Sequence, residues 1–124
     1  MVDSFKDLKV WKKSMDFVTS VYELVKLLPK EETYVLSDQI RRAAVSIPSN
    51  IAEGAGRNTT KEYIQFLYVA LGSASEVETQ IIIGQRIGYF EDVNNYIDDI
   101  NEIKKMLNGL ISSLKRRENW DSTH

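Results

Sequence analysis

The stretch QIRRAAVSIPSNIAEGAGR, residues 39–57, decides the fold. Its apolar side chains recur every three or four residues, which is typical of a helix that packs one face into a core. The same stretch carries Pro48, Asn50 and the pair Arg41–Arg42, which a plain core helix does not need. A proline inside a helix removes one backbone hydrogen bond and costs about 3 kcal/mol unless packing compensates. We therefore predict a kinked but continuous helix, with two helices broken near the proline as the alternative.

Composition argues against several classes of site. The chain has 124 residues, no cysteine and one histidine, His124. Disulfide frameworks, thiolate zinc sites, cysteine nucleophiles and Glu-x-x-His metal pairs therefore have no support. No phosphate-cradling glycine loop, dinucleotide fingerprint or nucleophile elbow is present. We expect a single domain over residues 1–124 that is not an enzyme and uses no cofactor or metal.

The sequence shows no targeting or membrane segment. No apolar run reaches the roughly 20 residues that a membrane-spanning helix needs, and the N-terminus lacks a basic segment followed by an apolar signal core. We expect a cytoplasmic protein with no membrane association.

Apolar periodicity predicts four helices and an all-α fold. Two prolines and six glycines provide little turn chemistry for a sheet protein. Connections of about two to six residues favour an antiparallel up-down-up-down bundle, because short loops make sequence neighbours spatial neighbours. The predicted helices span residues 6–28, 34–56, 60–87 and 92–116, and residues 118–124 are expected to form a disordered tail.

The first predicted helix has two apolar seams, so we expect it to touch neighbours on two sides. The main seam is Leu8, Trp11, Met15, Val18, Tyr22, Val25 and Leu28. The second seam is Val10, Phe17, Val21 and Leu24.

The third predicted helix begins at a capping box, Thr59 to Glu62, and is apolar on all sides from Tyr63 to Leu71 except at Gln65. In a four-helix monomer one side of each helix normally stays in water, so self-association is the simplest way to cover this one. We assign structural or oligomer-forming roles to Arg41, Arg42, Pro48, Asn50, Glu53, Tyr63, Phe66 and Tyr68.

The charged residues sort toward the two ends of the predicted bundle. Formal net charge is -2, which alone argues mildly against nucleic acid as a partner. In the antiparallel topology, the start of helices one and three and the end of helices two and four lie at the same end of the bundle, and we expect this end to be basic. The opposite end, with Asp98 and Asp99, is expected to be acidic. The candidate nucleic-acid-binding residues at the basic pole are Lys6, Lys9, Lys12, Lys13, Arg57, Lys61, Lys115, Arg116 and Arg117.

Two sets of polar residues can be interpreted in more than one way. Arg41 and Arg42 could grip a phosphate, but arginine beside an alanine-rich seam is more often part of an ion pair between helices or subunits. Carboxylates at Glu53, Glu76 and Glu78 could be acid–base or metal ligands. Without histidine partners, salt bridges or a solvated face explain them better. Asn50 is expected to fix register by hydrogen bonding across the bundle.

A group of residues spread through the chain carries a family resemblance: Phe5–Leu8, Trp11, Tyr22, Pro29, residues 39–54, Phe66–Leu67, Ala70, Gly72–Ser73 and Gly88–Tyr89. Through these residues, the chain from about residue 5 to residue 115 resembles the bacterial four-helix-bundle proteins encoded in intervening sequences of 23S rRNA genes. It is similar also to the accessory variability protein of diversity-generating retroelements. Val35 stands where the pattern has glycine.

This resemblance implies a homopentameric, ring-like assembly of antiparallel bundles. For the retroelement relatives it further implies RNA binding and a reverse transcriptase partner, whereas members in rRNA inserts have no established activity. Our leading hypothesis is a homo-oligomer that binds RNA, DNA or a nucleic-acid-handling protein through its basic pole. The alternative is an oligomeric scaffold for protein partners alone.

Overall fold

The computed structural model describes the backbone of residues 4–123 and the side chains of residues 4–119. Within that range it has four α-helices and no strand, so the predicted all-α class is confirmed. Short 3-10 turns precede the first two helices. The helices are α1 (Lys9–Val25), α2 (Leu36–Ala55), α3 (Thr60–Ile87) and α4 (Asn94–Thr123).

The helix ends follow local capping chemistry. The amide of Glu62 donates to Thr59 Oγ1 at 3.1 Å, and this hydroxyl donates to Glu62 Oε2 at 3.0 Å, which confirms the cap of α3. The amide of Asn94 donates to the carboxylate of Asp92 at 2.9 Å at the start of α4. Gly88 ends α3 with φ of 100°, a left-handed conformation that glycine adopts without strain.

The observed extents of α2 and α4 decide two of the predictions. The α2 helix runs unbroken through Pro48, so the alternative of two separate helices is wrong. The α4 backbone stays helical to Thr123, beyond the predicted end at residue 116 and through most of the predicted tail. Lys115, Arg116, Arg117 and Glu118 are good helix formers and no glycine or proline follows them, so nothing local stops the helix at residue 116. His124 lies outside the described residues.

The core uses the second seam of α1. Val10, Phe17, Val21 and Leu24 are buried, whereas Met15 and Tyr22 of the predicted main seam are 42% and 43% exposed. The reason is that α2 and α4 are the helices on which α1 packs, so one stripe points at the bundle axis and the other lies on its flank. Fully buried large side chains elsewhere in the core include Ile40, Ile47, Ile51, Leu67, Ile81, Ile100, Ile103 and Leu107.

The helices pack around a ring in chain order: α1 on α2, α2 on α3, α3 on α4 and α4 on α1. Side-chain contacts show the antiparallel sense of the α3–α4 pair. Lys104 of α4 meets Glu78 of α3, and further along α4 Lys115 meets the earlier residue Tyr68. None of the described helices is long and apolar enough to cross a membrane.

The α2 and α3 helices approach each other closely at Gly54. A Cβ atom added there would lie 2.7 Å from Phe66 Cβ and 3.0 Å from Tyr63 Cδ1. Further along the pair, the hydroxyls of Ser46 and Ser73 are 2.8 Å apart, within hydrogen-bond distance. Glycine is therefore required at position 54 for space, and the two helices are locked in one register.

We predict that Gly54→Ala lowers the free energy of unfolding by about 1–2 kcal/mol. Overpacking against Phe66 costs roughly 1–3 kcal/mol, and the better helix propensity of alanine returns part of it. The matched control is Gly109→Ala in α4, where an added Cβ meets nothing within 4 Å, and this change should stabilise by about 0.5–1 kcal/mol. Urea unfolding measures both, and equal effects of the two substitutions would contradict the close approach.

Candidate nucleic-acid interface

Five exposed cations lie where α2 ends, α3 begins and α4 ends. We call this set the terminal cation cluster: Arg57, Lys61, Lys115, Arg116 and Arg117. The antiparallel arrangement gives these segments the same end of the bundle. The cluster therefore forms from helix ends that are distant in sequence, as the charge pattern predicts.

Lys115 is held against an aromatic ring. Its Nζ donates to the hydroxyl of Tyr68 at 2.7 Å and lies 5.3 Å from the centre of the tyrosine ring. The tyrosine is 46% exposed. A residue assigned to oligomer formation and a residue assigned to nucleic-acid binding thus form one surface group.

Arg57 makes a similar pair on the other flank of α3. Its guanidinium carbon lies 4.7 Å from the centre of the Phe66 ring, a cation–π distance. The guanidinium also donates to Glu53 at 3.1 Å, one turn back in α2. The predicted salt bridge of Glu53 is therefore present, and it offsets part of the positive charge at Arg57.

The cations at the start of α1 behave differently. Lys6, Lys9 and Lys12 are exposed. Lys13 is instead bound to α4, with its Nζ 3.1 Å from Asp99 and 3.4 Å from Glu102. Hydrogen bonding to Asp99, together with the attraction of both carboxylates, raises the pKa of Lys13 above its ordinary value. The prediction that Lys13 and Asp99 lie at opposite poles is wrong.

Lys13 is consequently distant from Lys115. Glu102 and Lys115 are both on α4, and a helical rise of 1.5 Å per residue places them about 20 Å apart along its axis. The start of α1 meets α4 near Asp99 and Glu102, and the 3-10 turn that contains Lys6 packs on α1 and α2 without approaching α4. Lys6, Lys9 and Lys12 therefore approach the terminal cation cluster from the side of α2, since the 3-10 turn packs on α2 and Trp11 lines one groove with Ala52, five residues before Arg57.

Arg41 and Arg42 pair within their own helix. Arg42 Nε donates to Asp38 at 3.0 Å, and Arg41 lies 4.0 Å from the same carboxylate. The Arg41 guanidinium carbon is also 5.9 Å from the centre of the Tyr22 ring on α1. Arg41 thus helps to join α1 to α2, and the phosphate-gripping alternative gains no supporting contact among the described residues.

Asn50 acts inside α2. Its amide donates to the Ser46 carbonyl at 2.8 Å and to the Ser46 hydroxyl at 2.9 Å. That hydroxyl is the one that meets Ser73 of α3. The prediction that Asn50 itself bonds across the bundle is therefore wrong, because its side chain reaches only one turn back and supports Ser46, which makes the crossing.

The remaining carboxylate candidates form no metal site. Glu78 pairs with Lys104 of α4 at 2.6 Å. In the part of the chain that the structure describes, no three acidic or histidine side chains are grouped to hold a metal ion.

Sequence reasoning missed an apolar groove between α1 and α2. Its lining residues are Trp11, Met15, Val18, Val45, Pro48, Ser49 and Ala52. Val45 and Met15 are 39% and 42% exposed. The sequence contained a signal for this groove, because α1 has two apolar seams and a helix with two neighbours in a bundle needs only one. The groove is lined by residues of the main seam, and the second seam is the one in the core.

The residues from 6 to 109 match the family model of the 23S rRNA-intervening sequence protein. The chain belongs to that family. The match covers the quoted stretch in α2 and most of the bundle, but it ends before Lys115 and the rest of the cluster on α4. No curated protein matches the chain.

A solved structure supports the family assignment. The chain is similar to a protein of unknown function from the S23 ribosomal protein family of Bacteroides thetaiotaomicron VPI-5482, whose crystal structure was determined at 1.70 Å resolution. The two are 31% identical with a TM-score of 0.76, over 82% of this chain and 97% of the other. This family member therefore shares the architecture of a protein whose own function is unknown.

We predict that Lys13→Met lowers the free energy of unfolding at pH 7 by about 0.2–1 kcal/mol, the range of surface ion pairs. The raised pKa of Lys13 means that the pair stabilises the fold below the ordinary value of 10.5 and is lost as pH rises through the raised value. The difference in free energy of unfolding between the native and variant proteins, measured with urea, should therefore shrink above about pH 10.5. Lys26→Met is the control, because Lys26 is 69% exposed in its pair with Glu23. A difference that stays constant with pH would contradict this account.

Proposed function

We propose that the chain is a non-enzymatic, oligomeric helical-bundle protein that binds RNA or another nucleic acid, alone or within a nucleoprotein. The observation that carries the proposal is the terminal cation cluster, in which five exposed cations from the α2–α3 turn, α3 and α4 lie at one end of the bundle. Phosphate neutralisation by lysine and arginine depends on such local charge, and a net charge of -2 does not prevent it. The family name, which refers to a 23S rRNA intervening sequence, favours RNA.

Lys6, Lys9 and Lys12 add a second exposed basic patch on α1. Lys13 contributes less to nucleic-acid binding than its neighbours, because Asp99 and Glu102 already bind it. The proposed contact therefore centres on the terminal cation cluster, and Lys6, Lys9 and Lys12 extend it on the side of α2.

We predict that replacing all five cations of the cluster by glutamine weakens RNA binding and lowers its salt dependence. For single strands the slope of log K against log salt is about -0.7 per phosphate neutralised, so losing several contacts makes the slope markedly shallower. Fluorescence anisotropy with a labelled RNA hairpin across a salt series measures both quantities.

The matched control removes the same charge elsewhere, at Lys26, Lys30, Arg42, Arg86 and Lys105. That variant should keep the slope of the native protein. Equal losses in the two variants, or binding to RNA that does not depend on salt, would contradict the proposed interface.

Self-association is the second part of the proposal, and the α1–α2 groove supports it. An apolar groove with exposed Met15 and Val45 is a surface that association would remove from water. A ring of subunits would repeat the terminal cation cluster around one face and so raise its affinity for a polyanion. The number of five subunits and the reverse transcriptase partner rest on the family resemblance.

We predict that Val45→Glu dissociates the oligomer, because it places a charge in the groove. Sedimentation velocity at micromolar concentration should show a smaller species than the native protein. Leu27→Glu is the control: Leu27 is 65% exposed and lies outside the groove, so the change should leave the sedimentation coefficient unaltered. A native protein that is already monomeric would contradict the proposed self-association.

The groove also favours the alternative function, an oligomeric scaffold for protein partners alone. The RNA-binding experiment described above distinguishes the two functions. A protein that associates through the groove but binds no RNA with salt dependence is a scaffold.

A further inference from the structure

Tyr68 is an aromatic side chain that the bundle does not bury. It lies on the third turn of α3 with 46% of its surface exposed, and its described polar contact is with Lys115 on α4. Because its hydroxyl oxygen accepts from that ammonium group, the hydroxyl proton remains able to donate to another group. The pair thus presents a ring, a donor and a cation at one point of the surface.

Gly72 leaves the surface beside this ring open. It follows Tyr68 by one helical turn and is exposed in the middle of α3, where glycine is less stable than alanine. A Cβ atom added there would meet nothing within 4 Å, so packing inside the subunit does not explain the glycine. A side chain at this position would lean toward the helix N-terminus and lie over Tyr68. Its absence keeps the ring accessible.

Lys61 completes the group. It precedes Tyr68 by seven residues, which places it on the same face of α3 about 10 Å away, and it is exposed. Cations on both sides of an exposed aromatic ring are the elements from which single-strand binding sites are built, with bases stacked on the ring and phosphates on the cations.

We propose that Tyr68 is a stacking platform for a base of single-stranded nucleic acid, with Lys115 and Lys61 binding the adjoining phosphates. This inference rests on the proposed nucleic-acid function and names the class of ligand. Duplex bases are stacked on one another and do not present their faces to a protein ring, so the platform selects unpaired segments such as loops and ends.

The test compares three labelled DNA probes of about 20 nucleotides by fluorescence anisotropy across a salt series: an oligothymidylate, a strand of abasic sites with the same phosphates, and a duplex. The native protein should bind the oligothymidylate best. Tyr68→Leu should weaken that binding by about 5- to 100-fold, the loss of one base–aromatic stack, and leave the abasic strand unchanged. Tyr68→Phe keeps the ring and should lose much less.

Gly72→Leu gives an independent test, because it fills the open space beside the ring without a clash inside the subunit. Its thermal unfolding temperature should equal or exceed that of the native protein, while its affinity for the oligothymidylate falls by a factor similar to that of Tyr68→Leu. Unchanged oligothymidylate binding in either variant overturns the platform.

The outcomes separate this inference from the function on which it rests. If all three probes bind equally and with salt dependence, the nucleic-acid function stands and the stacking platform is wrong. If neither these probes nor the labelled RNA hairpin bind with salt dependence, both are wrong. If Tyr68→Leu changes the sedimentation coefficient, this face of α3 is an interface between copies of the chain and the platform is again overturned.

Discussion

The close approach of α2 and α3 is the constraint on which the rest of the structure depends. With Gly54 offering no side chain, Phe66 and Tyr63 lie directly against the α2 backbone, and the Ser46–Ser73 contact holds the other part of the pair. A bundle packed this tightly has one register, since a slip of a single residue would drive a Cβ atom into Phe66. The turn between the two helices is fixed as a result, and so are the cations on either side of it.

The position of α4 explains why Lys13 does not join the cations near the end of that helix. The α4 helix packs along α3, as the contacts of Lys104 with Glu78 and of Lys115 with Tyr68 show. It meets α1 near Asp99 and Glu102, which bind Lys13. If the four helices were side-by-side rods of equal length, the start of α1 would lie beside the end of α4. The real α4 is much longer than α1 and has its own contacts with each neighbour, so helix ends that match in topology do not all meet in space.

Periodicity and capping chemistry predicted the four helices, because both depend on residues within one or two turns. The capping box at Thr59 is a local signal of this kind, and the structure confirms it. Asp92 and Gly88 act just as locally at the start of α4 and the end of α3. The choice between the two seams of α1 depends on where its neighbours lie, which no local pattern contains. Burial of Gln80, whose Oε1 has no hydrogen-bond partner among the described residues, is likewise a product of tertiary packing.

The candidate site shows the same division between what is local and what is not. A count of lysines near one end predicts a cluster, but it cannot say which of them already has a carboxylate, and Lys13 has two. Nor could it place Tyr68 beside Lys115, which follows it by 47 positions in the chain. A cation held by protein carboxylates has less to gain from a phosphate, whereas one beside an exposed ring keeps its charge for a ligand. The value of a basic residue to a polyanion is therefore set by its neighbours across the bundle. On that ground the α3–α4 face is a stronger candidate than the lysine-rich start of α1.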